Sequence, residues 1–241
     1  MTDTLRLSRL LADRHGCSRR EAENYIQGGW VSVDGEVVEE PGHRVTPEVR
    51  LDLDAKARPD DIAPVTLLLN KPAGFGASVA NESAAELLVA ENQMPGAHGG
   101  MRVLKKHFSG LMLATPLETE ASGMVVATQD PRIMRKLVDD ANRVEQEFTV
   151  EVTGTIATDG LDRLARGMSW KGKPVPPAKA SWQSENRLRL AMKTPPPGLI
   201  SHLCSELGLT ATAIRRIRIG RLPMAALPPG QWRYLLGYER F

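Results

Sequence analysis

A polar, proline-containing segment divides this chain of 241 residues into two stretches with different patterns. Residues 55–64 have the sequence AKARPDDIAP, which lacks apolar periodicity and contains two prolines, as is typical of a linker. Helix and hairpin signals precede this segment, and a buried-strand signal follows it. We therefore predict a small domain over residues 1–54, a linker over 55–63 and a larger domain over 64–241.

The small domain contains clear signals for helix ends and for a tight turn. Leucines at near-helical spacing over residues 5–11 predict a first helix, which ends near Gly16. Ser18 is followed three residues later by Glu21, and this pair predicts a capping box at the start of a second helix. The Asp-Gly pair at 34–35 lies between alternating apolar residues, which predicts a two-residue hairpin turn.

The larger domain mixes strand and helix patterns without a regular strand–helix–strand repeat. A continuous apolar run at 65–69 predicts a buried strand. The other predicted elements are helices over 83–91, 131–142 and 199–207, strands over 146–153 and 214–219, and a hairpin over 180–192. This pattern predicts an α+β fold with a mixed, mainly antiparallel sheet.

Composition excludes several classes of protein. With 25% charged and 41% hydrophobic residues the chain is globular, and its net charge of +2 requires local basic clusters for any nucleic-acid interaction. Cys17 and Cys204 fit neither a zinc spacing nor a disulfide framework. No run approaches the roughly 18 apolar residues of a membrane span. We predict a cytoplasmic protein without a metal or a membrane segment.

Several short matches in the small domain resemble an S4 RNA-binding domain. They are LRLSRLLA at 5–12, SRREAE at 18–23 and DGEVV at 34–38. The resemblance implies that two short helices present basic side chains to folded RNA, at Arg6, Arg9, Arg19 and Arg20. The alternative is that these arginines are solvated surface charges paired with nearby carboxylates, because such pairs are worth only about 0–1 kcal/mol.

The larger domain resembles the pseudouridine synthases that modify ribosomal RNA, of the small-subunit type with an N-terminal S4 domain. The matches are LLLNKPAG at 67–74, SGMVVATQD at 122–130, FTVEVTG at 148–154, IRRIRIGRL at 214–222 and LPPGQWR at 227–233. The resemblance implies a protein that binds ribosomal RNA, flips a uridine into a pocket and isomerises it to pseudouridine without a cofactor. We also predict a monomer.

The family's reactive aspartate lies in an Arg-Leu-Asp-x-x-Thr-Ser-Gly stretch, and this chain departs from that stretch. Glu118 replaces the aspartate, Pro116 the arginine and Ala121 the threonine. A carboxylate displaced by roughly 1 Å can lose about a hundredfold in rate, and the arginine's orienting contact is missing. Glu118 is therefore a replacement nucleophile, a non-catalytic remnant in a pocket that binds RNA, or a surface carboxylate.

The resemblance also implies further RNA contacts. Lys71 lies either at the pocket rim near a phosphate or simply at the end of a strand before a Pro-Gly turn. Phe148 could stack on the flipped base but cannot donate a hydrogen bond to it. Where the family's last helix begins with a basic run, residues 198–203 are mostly apolar. Arginines flank an apolar strand at Arg215, Arg216, Arg218 and Arg221, and basic residues share a helix face at Arg132, Arg135 and Lys136. These clusters predict a track along RNA phosphates.

Two functions remain open from the sequence. In the first, the protein isomerises a uridine in ribosomal RNA, with Glu118 in the place of the family's aspartate. In the second, it is a catalytically inactive RNA-binding protein of the same fold that acts on ribosomal RNA or in ribosome assembly.

Overall fold

The computed structural model describes residues 4–76, 83–96, 100–193 and 195–241. Its residues fall into two units. The first unit contains residues 4–64 together with residues 101–110, and the second contains the remainder. The α+β class predicted from the sequence is confirmed, since both units combine short helices with sheets.

The first unit contains two helices and five short strands. They are β1 (Leu5–Arg6), α1 (Leu7–His15), α2 (Arg19–Gln27), β2 (Val31–Val33), β3 (Glu36–Val37), β4 (Arg44–Val45) and β5 (Leu51–Leu53). Helix α1 ends at Gly16, whose φ of 65° is the left-handed conformation that glycine favours. The predicted capping box is confirmed: Ser18 Oγ accepts from the Glu21 N–H at 3.2 Å, and Glu21 Oε2 accepts from the Ser18 N–H at 2.8 Å.

The predicted hairpin turn is also confirmed. Asp34 and Gly35 have φ angles of 51° and 90°, as a type I′ turn requires, and they join β2 to β3. Strand β2 also pairs with β5, and β1 pairs with β4. Both helices bury their apolar side chains against these strands, with Leu7, Leu11 and Ile26 fully enclosed.

Residues 101–110 lie with the first unit, although the sequence places them inside the larger predicted domain. The Arg102 guanidinium donates to the Gly29 carbonyl at 2.6 Å and stacks over the Trp30 ring at 4.8 Å from its centroid. The Lys105 N–H donates to the Glu39 carboxylate at 2.6 Å. These contacts join segments more than sixty residues apart, which local sequence patterns do not reveal.

The second unit contains most of the strands. They are β6 (Thr66–Lys71), β7 (Met112–Leu113), β8 (Ser122–Thr128), β9 (Glu145–Gly154), β10 (Met168–Trp170), β11 (Lys173–Val175), β12 (Lys179–Ser184), β13 (Arg187–Lys193), β14 (Leu209–Ile219), β15 (Leu222–Pro223) and β16 (Trp232–Tyr234). Its helices are α3 (Pro131–Val138), α4 (Gly160–Arg166) and α5 (Leu199–Glu206). Strands β10 and β11 form a separate hairpin.

The other nine strands form one sheet. Its order is β12-β13-β9-β14-β8-β6-β16, with β7 added to β8 and β15 added to β14. The β14–β8 pair is parallel, and the other pairs of this sheet are antiparallel, as the sequence predicts. The helix predicted over 83–91 is instead two 3₁₀ turns, at Ala84–Leu87 and Ala90–Asn92. The helix predicted over 131–142 stops at Val138, because the Asp139 and Asp140 N–H groups share the Arg135 carbonyl.

The large sheet separates two apolar layers. On one face, Val125 of β8 packs with Phe148 of β9 and Leu203 of α5. On the opposite face, Val126 packs with Leu137 of α3. We name these the α5 face and the α3 face. Their alternation follows the period-two direction of side chains along a strand.

Gly123 is required by the close approach of β8 and β14. Its φ is 110°, and a Cβ atom there would lie 2.2 Å from the Arg216 carbonyl oxygen. We expect Gly123→Ala to lower the free energy of unfolding by about 3 kcal/mol or more, because the clash is with main chain. Gly172→Ala is the matched control: its φ is also positive, but nothing lies within 4 Å, so its cost should be about 1 kcal/mol. Urea unfolding of both variants measures the difference, and equal costs would contradict this account.

Candidate active site

Glu118 lies in the loop before β8 and is half-buried. Its Oε1 accepts a hydrogen bond from the Gly198 N–H at 2.7 Å. Gly198 is the N-cap residue of α5, and no side chain caps the helix from within its own first turn. Since the N-terminus of a helix carries unpaired N–H groups and partial positive charge, the Glu118 carboxylate is a cap supplied from a distant part of the chain.

The recess around Glu118 is small. It is lined by Leu117, Phe148 and Ile200 and is bordered by the proline run at 195–197. The space inside is about 10 Å³, close to the minimum for one water molecule. Phe148 is 1% exposed and belongs to the apolar layer of the α5 face. The structure thus places the residue predicted to stack on a base in the core, with no room for a base beside it.

Arg216 is the main organising residue of this site, and its guanidinium is fully buried. Its Nε donates to the Met124 carbonyl at 2.7 Å. Nη1 donates to the Pro116 carbonyl and to the Gln146 side-chain oxygen, at 3.1 Å each. Nη2 donates to the Thr115 carbonyl at 2.7 Å and to the Thr115 hydroxyl at 3.3 Å. These bonds use all five of its N–H donors. Burial lowers the pKa of Arg216 to about 9.

The sequence grouped Arg216 with arginines expected to contact RNA, and its inward orientation was missed. A signal for it exists in the strand itself. Ile214 and Arg216 are two residues apart on β14, so they point to the same face, and Ile214 is apolar. The guanidinium ties the loop that precedes Glu118 to β8 and β9, and it therefore positions Glu118.

Lys71, predicted at a pocket rim, lies inside the second unit. Its side chain is fully buried, and Nζ donates to the carbonyls of Pro72 at 2.9 Å, Phe75 at 2.6 Å and Thr119 at 3.1 Å. Burial, reinforced by the positive charge of Arg216, lowers the pKa of Lys71 to about 8. Because its three donors are used by carbonyls, the ammonium joins two loops of the fold and does not face solvent.

The four arginines predicted for RNA binding in the first unit, Arg6, Arg9, Arg19 and Arg20, are all exposed. Three of them lie beside carboxylates: Arg9 is 3.9 Å from Asp13, Arg19 is 3.2 Å from Glu23 and Arg20 is 2.9 Å from Asp61. Exposed pairs of this kind are weak, at about 0–1 kcal/mol. The arginines can therefore exchange these carboxylates for phosphates at little cost.

The two strand arginines predicted to contact RNA differ from each other. Arg215 is exposed. Arg218 is held by two carboxylates, with 2.7 Å separating its guanidinium from Glu147 and also from Glu145. The hydrogen bond from Arg218 is the largest cause of the lowered pKa of Glu145. Arg218 is thus part of an ion-pair cluster, which also includes Arg189 and Lys179.

Membrane-spanning helices and clusters of metal-ligating side chains are both absent from the described ranges. None of the helices there combines the length and hydrophobicity that crossing a bilayer demands. In the same ranges, no three His, Cys, Asp or Glu side chains are grouped as metal ligands.

The fold and the position of Glu118 define a two-domain class, in which a small helix–hairpin domain precedes a large mixed sheet with a carboxylate in the loop before a central strand. Residues 5–51 match the S4 domain family. The chain is 25% identical to an uncharacterized RNA pseudouridine synthase of Aquifex aeolicus (strain VF5), over 98% of this chain and 94% of that protein. It is 24% identical to the ribosomal small subunit pseudouridine synthase A of Escherichia coli (strain K12), over 98% of each.

A solved structure has a similar fold. The crystal structure of a pseudouridylate synthase matches the model with a TM-score of 0.62 and 19% sequence identity, over 96% of both chains. At this identity the match concerns the fold. The resemblance seen in the sequence, to pseudouridine synthases with an S4 domain, is confirmed by these similarities.

The role of Glu118 as a helix cap can be measured by stability. Glu118→Ala should lower the free energy of unfolding by about 1 kcal/mol, because the Gly198 N–H and the helix terminus lose their anionic partner. Glu118→Gln should retain part of this energy, since an amide oxygen still accepts. Glu120→Ala, at an exposed position two residues away, is the control and should change stability by less than about 0.5 kcal/mol. Equal effects of the two alanine variants in urea unfolding would exclude the cap.

Proposed function

We propose that the protein binds structured ribosomal RNA and does not isomerise a uridine within it. The observation that carries this proposal is the engagement of Glu118 with the Gly198 N–H at 2.7 Å, beside a recess of about 10 Å³. The family's carboxylate position is occupied here by a residue with a structural partner, in a site too small for a nucleotide.

RNA binding is supported by the S4 domain and by the nature of its exposed charges. Arg19 and Arg20 open α2, where backbone N–H groups and guanidinium groups together favour an anion. Their weak pairs with Glu23 and Asp61 leave both side chains at the surface. Contacts of this type hold a phosphate backbone in position and carry no base sequence. The names of the relatives, which are RNA pseudouridine synthases, point to RNA as the polymer.

The absence of turnover follows from what the reaction needs. A carboxylate must reach the sugar or base of a flipped uridine, and a basic group must orient it. Pro116 provides no guanidinium at the family's arginine position. Arg216 lines the same recess, but its five donors already bind other groups. The carboxylate of Glu118 and the guanidinium of Arg216 are therefore both hydrogen-bonded to other parts of the second unit, and neither is available to a uridine.

A second candidate function is the isomerisation of a uridine in ribosomal RNA, with Glu118 as nucleophile and without a cofactor. Two observations favour it: a carboxylate is retained at the family position, and the relatives named as synthases match 98% of the chain. This function requires the 195–198 loop to move away, so that Glu118 is released and the recess opens.

RNA binding should depend steeply on salt. We expect the affinity for a small-subunit ribosomal RNA transcript to fall with ionic strength, as phosphate contacts dictate. Arg19→Ala with Arg20→Ala should weaken binding about tenfold and lower the salt slope by about 2. Arg50→Ala with Arg58→Ala removes the same charge from other exposed positions of the first unit and serves as the control. Fluorescence anisotropy measures both, and a flat salt response would overturn the proposal.

Turnover distinguishes the two candidates. Pseudouridine formation is measured on small-subunit ribosomal RNA transcripts, with the Escherichia coli relative as the positive control. We expect no pseudouridine from the wild type or from Glu118→Gln. If the wild type is active and Glu118→Gln is at least about a hundredfold slower, Glu118 is the nucleophile and the second candidate holds. If Glu118→Asp gains activity, the longer side chain of glutamate, which misplaces the carboxylate, is the reason why the wild type is inactive.

A further inference from the structure

A basic groove lies on the second unit, away from Glu118. We name it the α3 groove. It runs between α3, the turn after it, the start of β9 and the end of β14, and its volume is about 630 Å³. Its basic residues are Arg132, Arg135, Lys136, Arg143 and Arg221. Three separate segments of the chain thus supply cations to one concave surface.

Positive charge predominates in the groove. Its acidic side chains are Asp140 and Glu145. Five basic side chains therefore face two acidic ones. Glu145 is already bound to Arg218 at 2.7 Å and to Lys179 at 3.3 Å, which reduces its effect further. Arg132 pairs with Asp130, but its side chain is 87% exposed, so this pair is weak.

Interaction with the dipole of α3 explains only some of the basic residues in the groove. Arg135 and Lys136 lie in the last turn of α3, where cations interact favourably with the helix dipole. That account does not involve Arg143, which comes from the turn after α3, or Arg221, which comes from the turn between β14 and β15. Their convergence on the same concave surface indicates a polyanionic ligand.

The groove is separate from the Glu118 recess. Its apolar residues, Val144 and Phe241, belong to the layer on the α3 face. The recess is lined by Leu117 and Phe148, which belong to the layer on the α5 face. The large sheet lies between the two, so a ligand in the groove does not enter the recess.

We propose that the α3 groove binds the phosphate backbone of an RNA segment, as a contact site independent of the Glu118 recess. Arginine and lysine suit phosphates as bidentate and point-charge partners. Phe241 is the aromatic residue among those lining the groove and is only 8% exposed, so stacking on bases does not contribute. This inference rests on the proposed function, because it assumes that RNA is the ligand.

The test compares double variants with equal loss of charge. Arg135→Ala with Lys136→Ala should weaken binding of a small-subunit ribosomal RNA transcript about tenfold and lower the salt slope by about 2. Arg143→Ala with Arg221→Ala removes cations from the other walls and should have the same effect. Arg166→Ala with Lys173→Ala, at exposed positions outside the groove, is the control and should change affinity less than about twofold. Urea unfolding verifies that all three variants keep the wild-type stability.

The outcomes separate this inference from the proposed function. If the wild type binds RNA and the Arg19 and Arg20 variants weaken it, but both groove variants behave like the control, the groove proposal fails and RNA binding stands. If the wild type does not bind RNA, the proposed function fails and the groove proposal fails with it. Calorimetry measures tripolyphosphate binding to the wild type and to the two groove variants. If the groove variants no longer bind tripolyphosphate but bind RNA as tightly as the wild type, the groove is a site for a small anion and the proposal is overturned.

Discussion

The burial of the Arg216 guanidinium constrains the whole second unit. A charged group in the interior is tolerated only when its hydrogen-bonding capacity is satisfied, and the Arg216 donors bind atoms from the loop at 115–116, β8 and β9. The same residue forms the parallel contact with Gly123, where only a glycine fits. Glu118 lies in the same loop, two residues after Pro116. Its position therefore depends on Arg216, although Glu118 accepts its hydrogen bond from Gly198.

The departures from the family motif are consistent with one another when Glu118 is a cap. Helix α5 is apolar where the family has a basic run, and it buries Leu199, Ile200 and Leu203 in the α5 face. A buried helix needs partners for its first N–H groups, and Gly198 brings one of them to Glu118. The longer reach of glutamate, which is unfavourable for catalysis, is suited to this contact. The hydrogen bond between Glu118 and Gly198 thus joins the two positions at which this chain departs from the family pattern.

The sequence predicted the features that depend on near neighbours. The capping box at Ser18 and the turn at Asp34 and Gly35 are local, because their hydrogen bonds and φ angles involve residues one to three positions apart. Arg216 was missed because its partners lie about 70 to 100 positions away, and the interior location of Lys71 was missed for a related reason, its contact with Thr119. Glu118 was identified by its place in a motif, but its partner Gly198 is eighty residues further on, and no spacing rule indicates that bond.

The distribution of charge, and not its total, is the property of this chain that supports RNA as the proposed ligand. A net charge of +2 gives little long-range attraction. Three cations are engaged within the fold: Lys71 and Arg216 donate to carbonyls, and Arg218 pairs with carboxylates. Among the exposed cations, which occur over both units, one group lies on the helices of the first unit and another converges in the α3 groove. Because the interior cations are held by the fold, these surface clusters are the cations available to the RNA ligand that we propose.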